Sequence, residues 1–306
     1  MTLREEPAST DAAALSTSAA APRASRAWKW QVEYVGVRCL EALALALPRR
    51  MGLALGSALG DVARVLRVRR STVAANLRYV GIELGDADGV LPELYRNMGK
   101  YLVDLLRAPR RPPPYRLHGG ELLDTLGERG TIVLMAHFGN FELLASLFGA
   151  SVKGLHVIVK TMHNPYVERW LRARRLATGV LPLSQQKAAS RGLAILRRKG
   201  ILAALVDQHP GRDGTPVQFL GRQAMTVRAI AGLQVRTQAS LLGAFTILGP
   251  DDVYDVVLEA PPTTSPADVS AAQSLHNDVI GAWVKKHPTH WFCWFHRRFR
   301  PYLDYP

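Results

Sequence analysis

Residues 137–142 read His-Phe-Gly-Asn-Phe-Glu and hold the best candidates for chemistry in the chain. His137 closes an apolar run, Gly139 and Asn140 make a turn, and Asn140 is a good cap for a helix starting at Phe141. On one continuous helix, an offset of five would put His137 and Glu142 about 140° apart. Across a strand–turn–helix corner, the Glu142 carboxylate can instead reach back to the imidazole. A histidine held by a carboxylate can take a proton from a hydroxyl, and the carboxylate then stabilises the imidazolium. Spacing alone also allows a structural His–Glu pair at a helix start.

The segments around this corner alternate between strand and helix. Apolar runs at 130–136, 154–160, 179–183, 201–207, 239–248 and 254–260 read as strands. Segments 164–178, 188–198 and 268–287 have helical spacing. This alternation predicts an α/β fold with a sheet flanked by helices, and such sheets place active sites at the carboxyl ends of their strands. The prolines of Arg-Arg-Pro-Pro-Pro-Tyr, 110–115, cannot continue a helix. They mark the junction between a helical region, 28–115, and a catalytic core, 116–306. Residues 51–107 read as helical throughout, with Gly52, Gly56 and Gly60 four apart to permit close helix approach. Residues 1–27, rich in Ala, Ser and Thr with early acidic residues, read as a disordered tail rather than a basic, Leu-rich signal peptide.

The chain has 306 residues and 48% hydrophobic content, which excludes disorder over most of its length. Lys plus Arg number 39 against 25 Asp plus Glu, giving a net charge of +14. Eight of the 39 are Lys, so 31 are Arg. An anionic partner follows: nucleic acid, anionic lipid or an acidic protein. Nucleic acid would call for aromatic platforms interleaved with arginines in a recognised module, and no such module is apparent. Cys39 and Cys293 are too few for a disulfide scaffold or a cysteine-rich zinc site. His156, His163 and His209 lack metal-ligand spacing, and the aromatic residues around His287, His290 and His296 read as packing for the sheet edge. The longest charge-free run, 237–250, has 14 residues and cannot span a bilayer. Segment 28–47 carries two Trp and a Lys at its front, three internal charges, and Arg49 and Arg50 beyond its end. It suits a membrane interface or the surface of a soluble core. Arg64, Arg67, Arg69 and Arg70 form a basic cluster suited to lipid headgroups or to solvent.

The sequence also resembles a known family. His-x4-Glu at 137–142 is similar to the signature of glycerolipid-type acyltransferases, and its Gly-Asn-aromatic-Glu form resembles the late lipid A (lauroyl/myristoyl) acyltransferases. Further segments carry the resemblance in order: the basic helix ending in Asn-Leu (69–77) and the Asn-Pro helix with an Arg before Gly (164–179). Leu-Val-Asp-Gln (205–208), the Phe-x-Gly loop (214–226) and Trp-x-x-Arg-Arg-Phe toward the end (291–300) complete it, over about 28–301. Phe141 stands where many relatives carry Trp, and the 207–214 loop departs from the lipid A type.

The resemblance implies a glycerolipid acyltransferase-like α/β sandwich, with a mixed β-sheet flanked by helices and an N-terminal membrane-associating helical region. It implies O-acyl transfer from an acyl thioester on acyl carrier protein or CoA to a lipid hydroxyl, at the cytoplasmic face of the bacterial inner membrane. No metal or other cofactor is expected. By position, His137 is the general base and Glu142 its orienting partner. Arg175 stabilises charge or holds an acceptor phosphate, and Asp207 positions the arginine or the site loops. Gly139 and Asn140 would offer backbone N–H groups to an oxyanion. Arg174, Gln208, Gly221, Thr226, Arg297 and Arg298 join them as candidate substrate-binding residues. Two other functions compete: thioester hydrolysis by the same dyad, and a basic membrane- or nucleic-acid-binding protein with an inactive site.

Overall fold

The structure is a computed structural model that describes residues 24–83, 89–261 and 265–305. The expected tail lies outside the described residues up to residue 23, and helix α1 (Ala24–Ala46) already runs from Ala24. It is followed by α2 (Arg49–Val65), α3 (Arg70–Tyr79) and α4 (Val90–Arg107). The stretch expected to be one helical run is interrupted after α2, where Arg67 and Arg69 adopt positive φ, and again between Tyr79 and Val90. The glycine spacing on α2 serves close packing: a Cβ at Gly56 would stand 2.6 Å from the Gly99 carbonyl oxygen of α4. Val73, Leu77, Leu91, Leu94 and Tyr95 of α3 and α4 share one buried cluster with Ile132, Leu134, Trp291 and Trp294. The helical region and the sheet therefore have a common core.

The main sheet has seven strands in the order β1-β9-β8-β2-β5-β3-β4. They are β1 (Tyr115–His118), β2 (Thr131–Met135), β3 (Leu155–Val159), β4 (Val180–Ser184), β5 (Ile201–Leu205), β8 (Ser240–Leu248) and β9 (Tyr254–Glu259). Neighbours are parallel except β8 and β9, so the sheet is mixed. β2 lies mid-sheet with all five residues buried, and its side chains alternate between two cores. Ile132 and Leu134 face the α3, α4 and α9 (Val269–Lys286) side, while Val133 and Met135 face α5 (Phe141–Ser151). The six strands read from sequence are present within a residue or two at each end. Three features were not read, one of them helix α8 (Ala229–Thr237). Edge strand β1 is exposed at every residue, and the segment taken as a loop folds as a hairpin, β6 (Gly214–Phe219) and β7 (Arg222–Val227). Helices α6 (Pro165–Ala177), α7 (Ala188–Arg197) and α8 (Ala229–Thr237) complete the layers.

Candidate active site

Strands β2 and β5 pair in parallel with Met135 opposite Leu205, an offset of 70. Two residues beyond each strand end, the same offset sets His137 beside Asp207. The Asp207 side chain is fully buried, and that of His137 is 20% exposed. His137 Nδ1 lies 2.8 Å from Asp207 Oδ1, and the His137 backbone N–H donates to Oδ2 at 2.8 Å. Burial acts to raise the Asp207 carboxyl. The charge of His137, with hydrogen bonds from His137 and Trp291, outweighs it and holds the group at about 2. An ionised carboxylate only accepts, so the Nδ1 bond requires the Nδ1–H tautomer and leaves a lone pair on Nε2. A buried acid thus orients a partly open imidazole, and Nε2 is the ring nitrogen left to accept a proton.

Glu142 does not serve as the expected partner of His137. It starts the first turn of α5, and its carboxylate takes both ends of the Arg175 guanidinium: Nε to Oε2 at 3.1 Å, and Nη2 to Oε1. The side chains are 18% and 11% exposed. Arg175 comes from the last turn of α6, so this bidentate pair ties α5 to α6 beside the histidine corner. Phe141 links the two carboxylate systems, because its ring packs on His137 at 4.9 Å between centroids. A double-mutant cycle on Glu142→Gln and Arg175→Gln is expected to show non-additive unfolding free energies, with coupling of about 2–3 kcal/mol. Additive values in urea titrations would deny the pair an energetic role.

The C-terminal segment, whose aromatic residues read from the sequence as sheet-edge packing, closes the corner. The Gly139 N–H donates to the His290 carbonyl at 2.7 Å, and the Phe292 N–H to the His137 carbonyl at 2.7 Å. Trp291 Nε1 donates to Asp207 Oδ2 at 2.8 Å, and Cys293 Sγ at 3.3 Å. Burial, and then the Asp207 charge, pushes the Cys293 thiol up, so it is a donor here. Among the described residues, atoms of His137, Asp207 and Cys293 lie within 4.8 Å of one another, a grouping that could hold a metal. Its chemistry runs the other way. The thiol is kept protonated, Nδ1 carries a proton, and Asp207 Oδ2 is already filled by three donors.

The other sequence candidates divide into scaffold and surface. The Gly139 N–H is engaged by His290 and is not open to an oxyanion. Gly139 has φ +56°, and a Cβ there would collide with the Thr246 carbonyl. Asn140 is buried. Its Oδ1 accepts from the Leu143 N–H at 3.2 Å, and its Nδ2 donates to the Tyr101 carbonyl and the Tyr254 hydroxyl. Arg174 binds Glu41 and the carbonyls of Leu105 and Leu106, pinning α6 to α1 and α4. Thr226 is buried between Asn277 and Arg298. Arg298 is itself buried and donates to the Met225 carbonyl. Burial, opposed by the charge of Asp207, pulls it down to about 10. Gly221 sits at the exposed tip of the β6–β7 hairpin with φ +77°, a turn position. Arg297 is exposed, its guanidinium over the Tyr305 ring. Gln208 follows Asp207 and is half-buried.

No curated protein matches this sequence. The family described as bacterial lipid A biosynthesis acyltransferase does match, over residues 20–301, nearly the whole length. With His137 and Asp207 joined at the strand ends of a mixed α/β sheet, the chain belongs to that family and is an acyltransferase.

Proposed function

We propose that the chain moves a fatty acyl group from a thioester, on acyl carrier protein or CoA, to a hydroxyl of a lipid A precursor or related lipid. The observation that carries the reading is the His137–Asp207 pair. Nε2 takes the hydroxyl proton as the oxygen attacks the thioester carbonyl carbon. The tetrahedral oxyanion then collapses with C–S cleavage, and the imidazolium returns the proton to the leaving thiolate. Asp207 stabilises the imidazolium between these steps. The test is incubation of the purified chain with an acyl thioester and a lipid acceptor, with products read by mass spectrometry. An acceptor heavier by one acyl chain supports transfer. Free fatty acid alone makes the enzyme a hydrolase, and an unconsumed thioester overturns both.

We also propose that the enzyme works on the cytoplasmic face of the bacterial inner membrane, through α1 and α2. No helix among the described residues is long and apolar enough to cross a membrane, so the contact would lie in the plane of the interface. Support comes from an inverted pattern on α1: Glu41 is buried, while Trp28, Val32, Val35 and Leu43 are exposed. On and after α2, Met51, Leu59, Val62, Val65 and Leu66 are exposed too, the last two at 70%. The exposed Arg67 and Arg69 follow this stripe, where anionic headgroups would meet them. Each Val or Leu moved into lipid contributes about 1.5–3 kcal/mol. Val65→Asp/Leu66→Asp is therefore expected to weaken flotation with phosphatidylglycerol-rich vesicles by more than about tenfold. Flotation equal to the parent would remove this face from the membrane contact.

A further inference from the structure

A cavity of about 500 Å³ opens between α1, the link after α4, and α6. Its size is that of a small-molecule site. Tyr34, Tyr166 and Trp170 wall it, with Tyr34 and Tyr166 6.0 Å apart between ring centroids. Four arginines line it, Arg38, Arg110, Arg169 and Arg174, against one carboxylate, Glu41, for a net +3. Glu41 is already saturated. It takes Arg174 at 2.7 Å, Arg38 at 2.9 Å and the Trp170 indole at 3.3 Å, with Arg110 at 3.7 Å. Burial pulls Arg174 below its ordinary value, and the charges of Arg110 and Arg38 add to that against Glu41. Arg110 is 61% exposed and Arg169 is exposed without a carboxylate partner among the described residues, so both have donors to spare.

We propose that this cleft binds the phosphate of the acceptor's headgroup, with Arg110 and Arg169 as its principal ligands. The proposal rests on the acyl-transfer reading above. Guanidinium forks match phosphate oxygens, and surplus positive charge around a filled carboxylate calls for an anion. The aromatic walls offer faces for the ring or chain that carries the phosphate. A concave cleft of this volume suits a headgroup better than the surface of an acidic carrier protein. Its position supports a lipid source. On α1 the cleft-lining Tyr34, Arg38 and Glu41 form one helical stripe, and the exposed Trp28, Val32, Val35 and Leu43 form the neighbouring one, about 130° round the helix. A lipid held by its headgroup would thus lie beside the apolar face. A smaller adjoining cleft shares Pro109 and Arg174 and is bordered by Glu142 and Arg175, and Glu142 directly follows Phe141, whose ring packs on His137.

Calorimetric titration of the whole chain with glucose 1-phosphate, glucose and inorganic phosphate tests the site. Arg110→Gln/Arg169→Gln alters two exposed side chains and keeps the Glu41–Arg174 pair. Arg197→Gln/Arg236→Gln, on exposed residues of α7 and α8, removes the same charge elsewhere. Glucose 1-phosphate is expected to bind and glucose not to. The cleft variant should weaken binding by about tenfold or more, one lost charge-assisted contact being worth at least that, and the control should not. Wild-type affinity in the cleft variant, equal loss in the control, or equal binding of glucose overturns the site. In acyl-transfer assays the parent should prefer a phosphorylated lipid over its phosphatase-treated form, and the cleft variant should lose that preference. Loss of binding with the preference intact assigns the cleft to a free phosphate ester and overturns the headgroup assignment. Weakened binding of acyl carrier protein, with no sugar-phosphate binding in the parent, hands the arginines to the carrier and overturns it too. Phosphate binding without transfer to any lipid would instead defeat the function proposed above and leave the anion site standing.

Discussion

His137→Ala is expected to lower kcat for acyl transfer by about 10³–10⁴-fold, or about 4–5 kcal/mol of transition-state stabilisation. The size follows from the double duty proposed for Nε2, to accept the hydroxyl proton and later donate it to the thiolate. No other described imidazole is joined to a buried carboxylate. His290 is held low, at about 4, by burial, and its Nδ1 meets the Tyr101 hydroxyl. The variant should still fold. Asp207 keeps the backbone N–H of residue 137, the Trp291 indole and the Cys293 thiol on Oδ2, and loses only the donor at Oδ1. That orphaned oxygen costs about 1–3 kcal/mol of stability, which urea unfolding would register. Because residue 137 is partly open to solvent, added imidazole should restore part of the rate, a rescue that a purely structural histidine would not show. Turnover within threefold of the parent would end the assignment of His137 as the base.

Much of this architecture is legible in the residues, and the failures have identifiable causes. Buried strands such as Thr131–Met135 and Ile201–Leu205 declare themselves as short apolar runs because both faces of the sheet are covered. β1, Tyr-Arg-Leu-His, is an exposed edge strand and carries no such pattern. The β6–β7 hairpin contains Pro216 and mostly polar outward residues, so it reads as loop. The corner draws attention to His137, but the structure pairs its imidazole with Asp207, near in space, and not with Glu142, near in sequence. Neighbouring strands β2 and β5 are 70 residues apart, and local spacing cannot reveal that pairing. One signal was available: each apolar strand is followed, after one more apolar residue, by the polar group, Met135-Ala136-His137 and Leu205-Val206-Asp207. Two parallel strands with matched overhangs put those groups side by side whenever the strands are adjacent. The roles of Trp291 and Cys293 were hidden for a related reason. Their burial was foreseeable, but the carboxylate that accepts their hydrogen bonds lies just past the end of β5, far away in sequence.

Asp207→Asn carries the second large effect, and its direction follows from counting donors. Oδ2 accepts from the His137 backbone N–H, from Trp291 Nε1 and from Cys293, while Oδ1 faces His137 Nδ1. An asparagine has one oxygen and one NH₂. Three donors compel the oxygen to the Oδ2 position, so the NH₂ faces Nδ1. Nδ1 must then accept, the ring proton moves to Nε2, and the nitrogen that should take the hydroxyl proton is blocked. The negative charge that stabilises the imidazolium is lost as well. Together these predict a fall in kcat of about 10²–10⁴-fold with the fold retained. An acid-stability measurement tests the same group independently. Asp207 titrates near 3.8 when unfolded and at about 2 when folded. It therefore stabilises the protein fully above the unfolded value and loses that contribution as pH falls through the interval. The wild-type acid limb should be steeper there than that of Asp207→Asn, by about 2 kcal/mol in all. If Asp207→Asn turns over within threefold of the parent while Glu142→Gln does not, the glutamate and not the buried aspartate orients the base. Nuclear magnetic resonance of the His137 ring nitrogens in both variants would then show the Nδ1–H tautomer surviving the loss of Asp207, the opposite of what three donors around a single oxygen require.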